Sequence, residues 1–202
     1  GDITRGPLSM TLTVIGEVEQ GCSLRRDRAE IGDDVWLLGE LGAAALAVRR
    51  RSGKISVDSP WLTEIDARLD RPQPRVALGR SLIGKAHSAI DVSDGLLADL
   101  GHICERSKVA ARLEWQAIPR SRALEHQAPP IGKACVLAGG DDYELLFTAP
   151  ASERQSIQAL KAIVPVSRIG TLVVGDPRVE VLDNMGSRIE FAGVGYDHFV
   201  EG

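Results

Sequence analysis

The amino-acid sequence predicts a mixed α+β or α/β fold in which strands alternate with helices and a β-rich segment follows. After residue 35, short apolar runs of strand length alternate with segments whose apolar residues recur every three or four positions. Near the end of the chain, three short β-type segments follow one another, at residues 166–169, 179–182 and 188–191. With 202 residues, 44% of them hydrophobic, the chain is long enough for one large domain or two small ones.

The predicted elements follow from these patterns in order. A strand is expected at residues 35–38, and an alanine-rich helix at 43–51 ends in three arginines, which suit the negative end of the helix dipole. Further helices are predicted at residues 61–69, 76–83, 94–106, 122–126, 131–138 and 152–163, and further strands at residues 87–90, 110–115 and 143–148. Glycines 139 and 140 are expected to end the helix before them as a C-cap.

A domain boundary is predicted near residue 33. Before it, Leu8, Met10, Leu12 and Val14 alternate with polar residues, which predicts a strand over residues 8–18, and a charged loop follows. One strand and a loop cannot form a hydrophobic core. We therefore expect residues 1–33 to be the remnant of an N-terminal domain, and residues 34–202 to form a C-terminal α/β domain.

Composition argues against several classes of protein. The net charge of −4 disfavours non-specific nucleic-acid binding, and an aromatic content of 4% is too low for a surface that stacks single-stranded bases. The three cysteines are too few and too scattered for a disulfide framework or a zinc site. No apolar run approaches the roughly 20 residues that span a bilayer, and we identify no signal peptide. We expect a cytoplasmic protein that binds neither nucleic acid nor membrane.

The corner between a strand and a helix at residues 91–95 is the strongest candidate site. It holds the carboxylates of Asp91 and Asp94 and the hydroxyl of Ser93 within four residues. Backbone N–H groups at the start of a helix can bind phosphate, and carboxylates beside phosphate indicate a cation, so the residues favour a metal–nucleotide site. The simpler alternative is that Ser93 or Asp94 caps the helix, which leaves Asp91 without a role. The helix itself is amphipathic, with one apolar face formed by Leu96, Leu97, Leu100, Ile103 and Cys104.

Other charged residues stand where a ligand could bind. Asp2, Asp141 and Asp142 lie next to glycine or at the end of a strand, where backbone can approach a ligand closely. Any one of them alone is more commonly a turn former or a cap. Arg5 and Arg26 are candidates for phosphate contacts, although a cluster of arginines at residues 25–28 is more commonly a solvated loop.

Four motifs together resemble the thiamine-monophosphate kinase family: GDITRGPLS at residues 1–9, AIDVSDGL at 89–96, GGDDYEL at 139–145 and GYDHF at 195–199. The order and approximate spacing of these motifs match those of the family along the whole chain. The resemblance implies a fold of the aminoimidazole-ribonucleotide-synthetase type, with a ferredoxin-like N-terminal domain that forms a homodimer and a C-terminal α/β domain. It also implies transfer of the γ-phosphoryl group of ATP to thiamine monophosphate, with Mg²⁺, to give thiamine diphosphate.

The resemblance also implies roles for particular residues. Gly1 and Asp2 would belong to the loop that binds ATP and Mg²⁺, and Arg26 and Ser93 would contact ATP. Asp91 and Asp94 would hold Mg²⁺, together with Asp2. Asp141 and Tyr196 would contact thiamine monophosphate. No residue is expected to act as a general base, because the acceptor is itself a phosphate dianion.

Two departures from the family pattern affect these expectations. The family typically has Glu where this chain has Asp141, which is one methylene shorter. The acidic motifs that supply further Mg²⁺ ligands, and the substrate-contacting histidine, lie before the point that matches Gly1. The chain thus resembles the C-terminal two-thirds of such a kinase and is expected to turn over slowly or not at all by itself. The alternatives are another ATP-using enzyme of the same superfold and a non-catalytic C-terminal fragment.

Overall fold

A computed structural model of the chain describes residues 11–160 and 164–191. The strands are β1 (Asp34–Leu38), β2 (Ser88–Val92), β3 (Ala110–Glu114), β4 (Glu144–Ala149), β5 (Val166–Val173) and β6 (Arg178–Leu182). The helices are α1 (Ala43–Arg51), α2 (Ser59–Asp70), α3 (Val76–Ser81), α4 (Leu96–Ser107), α5 (Pro129–Leu137) and α6 (Arg154–Ala159). Short 3₁₀ helices lie at Trp115–Ala117, Arg122–His126 and Ala151–Glu153.

These strands form a single sheet in the order β2-β4-β1-β5-β3-β6. Neighbouring strands run antiparallel except β3 and β6, which are parallel. Alternating strands and helices usually predict a parallel sheet. In the described sheet, no two strands that follow one another in the sequence are neighbours, and four of the five pairings are antiparallel. The fold is therefore the α+β form of the predicted class.

Side chains of β1 alternate between two hydrophobic cores because successive residues of a strand point to opposite faces. Val35 and Leu37 belong to the core that contains α1, α4 and α5. Trp36 and Leu38 belong to the core on the other face, where α3 and α6 pack and where the ring of Trp36 stacks on Phe147 at 6.3 Å. Full burial of each such side chain contributes about 1.5–3 kcal/mol. The sheet is therefore covered on both faces, and its loops remain available for a site.

The strand predicted at residues 8–18 is not formed over its described part, residues 11–18. Leu12 and Ile15 are 88% and 91% exposed, and no strand of the described chain pairs with this segment. Alternating side chains are not sufficient for a strand, because its N–H and C=O groups need a neighbouring strand as partner. Residues 8–10 lie outside the described part.

Most other elements lie within a few residues of their predicted positions. Strand β2 continues through Asp91 to Val92, and α4 begins at Leu96 instead of residue 94. Helix α6 is shorter than predicted, because Ala151–Glu153 forms a 3₁₀ turn, and residues 161–163 lie outside the described part. The last predicted strand, residues 188–191, makes only an isolated bridge from Arg188 to Leu182. Helix and strand type were thus predictable, whereas their ends depend on tertiary contacts.

None of the helices within residues 11–160 and 164–191 is long and apolar enough to cross a bilayer. Helices α2 and α4 have 12 residues each, and a helix that spans a membrane needs about 20.

Candidate functional site

The candidate site is built around the corner that joins β2 to α4. Gly95 makes the turn into the helix with φ of 113°, a value that other residues rarely adopt. A Cβ atom at this position would lie only 2.8 Å from the carbonyl carbon of Ala138, the residue that follows α5. Glycine is therefore required here both by the backbone conformation and by the close packing of the loop after α5.

Asp99 holds this corner from inside. Its Oδ2 atom accepts hydrogen bonds from the backbone N–H groups of Ser93, Asp94 and Gly95, at 3.0, 3.0 and 3.1 Å. The side chain is only 2% exposed, and burial raises the pKa of its carboxyl group. Two expectations are corrected here: neither Ser93 nor Asp94 caps α4 through its side chain, and these N–H groups are not available to a phosphate.

Asp99 was missed as a site residue, although the sequence contains a signal for it. Position 99 lies three residues after Leu96 and four before Ile103, so it falls on the apolar face of α4. A carboxylate on a core-facing stripe must find hydrogen-bond donors, because an unpaired buried charge is very costly. The nearest unpaired donors are the N–H groups that precede the helix.

Asp91 and Asp94 have the properties expected of cation ligands. Asp91 is exposed on the strand and Asp94 is half-buried in the corner. Within residues 11–160 and 164–191, neither carboxylate has a hydrogen-bond or ion-pair partner, so their oxygens are available. Carboxylate oxygens are the ligands that Mg²⁺ prefers, and the residues present therefore fit this ion. Ligand atoms of Asp94, Asp99 and His102 also lie within 4.8 Å of one another.

A cleft of about 570 Å³ brings Arg26 and Asp91 together. Arg25 and Arg106 also line it, so the cleft combines an acid from β2 with three arginines, of which Arg25 is paired with Asp27. Its remaining lining residues are Leu24, Asp27, Ala89 and Ile90. Guanidinium groups bind phosphates well and carboxylates bind divalent cations, so this combination suits a metal–nucleotide ligand.

The loop at residues 139–143 lies directly against the corner. The N–H of Asp141 donates to the carbonyl oxygen of Ser93 at 3.0 Å, and the N–H of Tyr143 donates to that of Val92 at 2.8 Å. A Cβ atom at Gly140 would lie 2.2 Å from the carbonyl oxygen of Ser93. The structure therefore places Asp141 next to Ser93, although 48 residues separate them in the sequence.

The two glycines of this loop serve packing instead of the predicted C-cap. Neither Gly139 nor Gly140 has positive φ, and the residue that follows α5 is Ala138, with φ of −129°. A Cβ atom at Gly139 would lie 2.4 Å from the Cβ of Ala45 and 2.3 Å from the carbonyl oxygen of Cys135. The left-handed conformation occurs instead at Asp141 and Tyr143, with φ of 68° and 49°.

Asp142 turns away from the corner and binds the start of α1. Its carboxyl group accepts hydrogen bonds from the N–H groups of Gly42 at 2.7 Å and of Ala44 at 3.2 Å. Burial raises the pKa of Asp142 to about 7, although the two N–H groups act in the opposite direction. Helix α1 has no acid in its own first turn, so the carboxyl oxygens of Asp142 supply acceptors for N–H groups at its start.

Gly1, Asp2, Arg5 and Tyr196 lie outside the described residues. Their predicted roles in binding ATP, Mg²⁺ and substrate therefore stay predictions. Among the other predicted site residues, the structure brings Asp91, Ser93, Asp94 and Asp141 to one corner, and it places Arg26 in the cleft beside Asp91.

Residues 30–183 match the protein family described as "AIR synthase related protein, C-terminal domain". The chain belongs to this family. The family match confirms the predicted fold of the aminoimidazole-ribonucleotide-synthetase type for the C-terminal part of the chain.

The chain is similar to thiamine-monophosphate kinases. The enzyme of Haemophilus influenzae is 40% identical over 209 aligned positions, which cover 100% of this chain and 63% of that protein. A crystal structure of thiamine-monophosphate kinase from Stenotrophomonas maltophilia K279a superposes with a TM-score of 0.75 and 45% identity, over 81% of this chain and 54% of that one. A structure of AaThiL complexed with AMPPCP and TMP has a TM-score of 0.71 and 27% identity, over 87% of this chain and 54% of that one.

The predicted resemblance to thiamine-monophosphate kinases is confirmed by these relatives. The chain nevertheless spans less than two-thirds of the length of the kinases it resembles. The described residues contain the corner, the cleft and the Gly-Gly-Asp-Asp loop.

Proposed function

We propose that this chain forms the C-terminal part of an enzyme that transfers the γ-phosphoryl group of ATP to thiamine monophosphate, giving thiamine diphosphate. One observation carries the proposal: the two motifs most typical of the resemblance meet at one corner, through the hydrogen bond from Asp141 to Ser93. AMPPCP is an analogue of ATP, and the relative solved with AMPPCP and TMP shares this fold at 27% identity.

The proposed roles follow the placement of the residues. Asp91 and Asp94, whose carboxylates have no partner among the described residues, hold Mg²⁺, and Asp2 adds a further ligand. Arg26 and Ser93 contact ATP, with Arg26 in the cleft beside Asp91. Gly1 belongs to the nucleotide loop. Asp141, whose backbone is left-handed with φ of 68°, and Tyr196 contact thiamine monophosphate.

Phosphoryl transfer requires positioning and charge more than covalent chemistry from the protein. Mg²⁺, when bound, neutralises the negative charge that develops on the phosphates. The residues of this chain orient the two substrates: the corner holds the nucleotide end and the loop at residues 139–142 holds the acceptor. A phosphate dianion attacks without losing a proton, so no residue is required as a base.

The organisation of the whole enzyme is also proposed. Residues 1–33 are taken as the remnant of an N-terminal domain, and the family match from residue 30 supports a boundary there. We propose a homodimer formed through that domain and a cytoplasmic location, where ATP and reduced thiols are available.

The experiment compares this chain with a chimera in which the non-matching N-terminal part of the Haemophilus influenzae kinase precedes it. Both are assayed for thiamine diphosphate formed from ATP and thiamine monophosphate, with and without Mg²⁺. We expect Mg²⁺-dependent turnover by the chimera and little or none by the chain alone. A chimera that folds but forms no thiamine diphosphate would contradict the proposal and would favour a non-catalytic fragment.

Asp91→Asn in the chimera tests the metal role. The amide is nearly the same size but loses the charge that a Mg²⁺ ligand supplies, so kcat should fall by about 100-fold or more. Asp176→Asn, which makes the same chemical change at an exposed position between β5 and β6, is the control and should leave kcat unchanged. Equal activity of Asp91→Asn and the unmodified chimera would exclude Asp91 as a ligand.

A further inference from the structure

Asp99 is the most deeply buried acid at the corner, and none of the roles above uses it. It lies in the first turn of α4, is 2% exposed, and faces the core beside Leu96 and Leu100. A carboxylate at such a position is retained only where strong hydrogen bonds replace its hydration.

The hydrogen bonds of Asp99 have an unusual arrangement, since three successive backbone N–H groups converge on one oxygen. The distances to Oδ2 are 3.0 Å from Ser93, 3.0 Å from Asp94 and 3.1 Å from Gly95. Consecutive N–H groups arranged in this way form a concave anion site that commonly receives an external phosphate. In this chain the anion is the protein's own carboxylate.

Two consequences follow for the corner. The backbone of residues 93–95 is held in one conformation, because any other conformation would leave a buried carboxylate without donors. This conformation also aligns the carbonyl oxygen of Ser93 with the N–H of Asp141. In addition, the three N–H groups that precede α4 cannot bind an external anion in this conformation, because they donate to Asp99 and its negative charge lies behind them.

We propose that Asp99 is a positioning residue that converts the turn at residues 93–95, directly before α4, from an anion site into a cation site. Its carboxylate fixes the backbone that presents Ser93 and Asp94, and its charge strengthens the binding of a divalent cation by Asp91 and Asp94. The inference deepens the proposed function and rests on it for the identity of the cation.

The experiment separates the geometric contribution from the charge by two substitutions in the full 202-residue chain. Asp99→Asn removes the charge and keeps a carbonyl oxygen that can accept the three N–H groups. Asp99→Ala removes both. Asp176→Asn, on the far side of the sheet from β2, is the matched control. The readouts are hydrogen exchange of the amides of residues 93–95 and paramagnetic broadening of the same NMR signals by Mn²⁺ alone.

In the unmodified chain and in Asp176→Asn, we expect slow exchange of these three amides and Mn²⁺ broadening at the corner. Asp99→Asn should keep the slow exchange but bind Mn²⁺ about 10-fold more weakly. A loss of this size is typical when a residue that orients metal ligands is substituted. Asp99→Ala should exchange at least about 10-fold faster and bind Mn²⁺ more weakly still, since the oriented ligands are lost as well.

Several outcomes would overturn the inference. Exchange in Asp99→Ala as slow as in the unmodified chain would show that the hydrogen bonds do not hold the corner. If Asp99→Ala does not fold, Asp99→Asn decides by itself, and a change in Mn²⁺ affinity below twofold refutes the role. If the chimera turns over substrate but the Asp99 substitutions leave Mn²⁺ broadening at the corner unchanged, this inference alone is refuted. If the Asp99 substitutions weaken Mn²⁺ binding as expected but the chimera shows no turnover, the proposed function alone is refuted.

Discussion

Aspartates near the site differ in role because their surroundings differ. Asp91 is exposed on β2 and has no protein partner within the described residues. Asp99 and Asp142 each accept backbone N–H groups at the start of a helix, α4 and α1 respectively. An acid whose oxygens accept backbone N–H groups fixes the backbone conformation of the site. An acid whose oxygens are unpaired can bind a cation. This distinction depends on geometry and cannot be derived from residue type.

At this scale, Gly95→Ala should destabilise the protein. The φ of 113° strains any residue with a Cβ atom, and that atom would lie 2.8 Å from the backbone of Ala138. Strain and overlap together should lower the free energy of unfolding by about 2 kcal/mol or more, measured by urea denaturation.

Gly101→Ala is the control for this prediction, because Gly101 lies in α4 and a Cβ atom there would have nothing within 4 Å. Alanine has the higher helix propensity, so this variant should gain about 0.5–1 kcal/mol. A loss of stability in both variants would show that α4 does not tolerate alanine for a reason unrelated to the turn.

At the scale of elements, the site depends on two segments that are hydrogen-bonded to each other. The end of β2 and the loop before β4 are joined by the hydrogen bonds of Asp141 and Tyr143, which extend the antiparallel pairing of β2 with β4. Gly140 permits this approach, because a side chain would overlap the carbonyl oxygen of Ser93. The corner and the loop should therefore respond together to a ligand bound at either one.

Another contact joins the α2–α3 segment to the first residue of β4. Glu144 is 2% exposed and accepts two hydrogen bonds of 2.7 Å from Arg75 and one of 3.2 Å from Arg68. A Cβ atom at Gly39 would lie 2.1 Å from the carboxyl carbon of Glu144, so glycine makes room for this acid. Glu144 follows the site loop directly and anchors it to the helices.

Arg75→Met tests this anchor. It leaves the carboxylate of Glu144 buried with only the longer contact to Arg68, and breaking a buried pair in this way costs about 3 kcal/mol. The free energy of unfolding from urea denaturation should fall by about this amount. Arg51→Met removes a guanidinium from exposed pairs with Asp66 and Asp70 and should cost clearly less than Arg75→Met, because solvent screens exposed pairs. Equal losses in the two variants would contradict the role given to Glu144.

At the scale of the whole molecule, the candidate site lies at one end of the sheet. Strand β2 is an edge strand of the described sheet, and Asp91 on it is exposed to solvent. The cleft beside it is lined by residues from β2, from α4 and from the segment before β1. A central strand such as β1, with all five residues buried, could not present a ligand in this way.

The stability of the whole molecule should depend on pH through Asp142. Its pKa rises from the usual value near 4 to about 7 in the folded state, chiefly because of burial. The folded state therefore binds more protons than the unfolded state between these values. The contribution of Asp142 is fully present below pH 4 and is lost as the pH rises through 7.

Asp142→Asn isolates this contribution, because the amide keeps an oxygen acceptor for the N–H groups of Gly42 and Ala44 but does not ionise. The free energy of unfolding of the variant, relative to the unmodified chain, should increase between about pH 4 and pH 7. Urea denaturation across that range measures the difference, and Asp176→Asn should show none. If the difference in free energy of unfolding between the variant and the unmodified chain does not change with pH, the pKa of Asp142 is the same in the folded and unfolded states.

The sequence by itself determined the type of most elements and the identity of several candidate residues. The apolar stripe of α4, the buried run of β1 and the alanine-rich α1 depend on local periodicity and composition, which are present in the chain before it folds. The motifs also indicated Asp91, Ser93, Asp94, Arg26 and Asp141 as residues near a ligand.

Only the tertiary structure decided the antiparallel strand order, the exposure of residues 11–18, and the partners of the buried acids. Strand pairing connects residues far apart in the chain, and the donors that a buried carboxylate finds depend on how the surrounding backbone folds. Asp99 and Asp142 illustrate this: the sequence shows an acid on the apolar face of α4 and an acid in the loop before β4, without their partners. In the fold, Asp99 accepts hydrogen bonds from the corner and Asp142 accepts them from the start of α1. Each acid is buried beside backbone donors that have no other partner among the described residues.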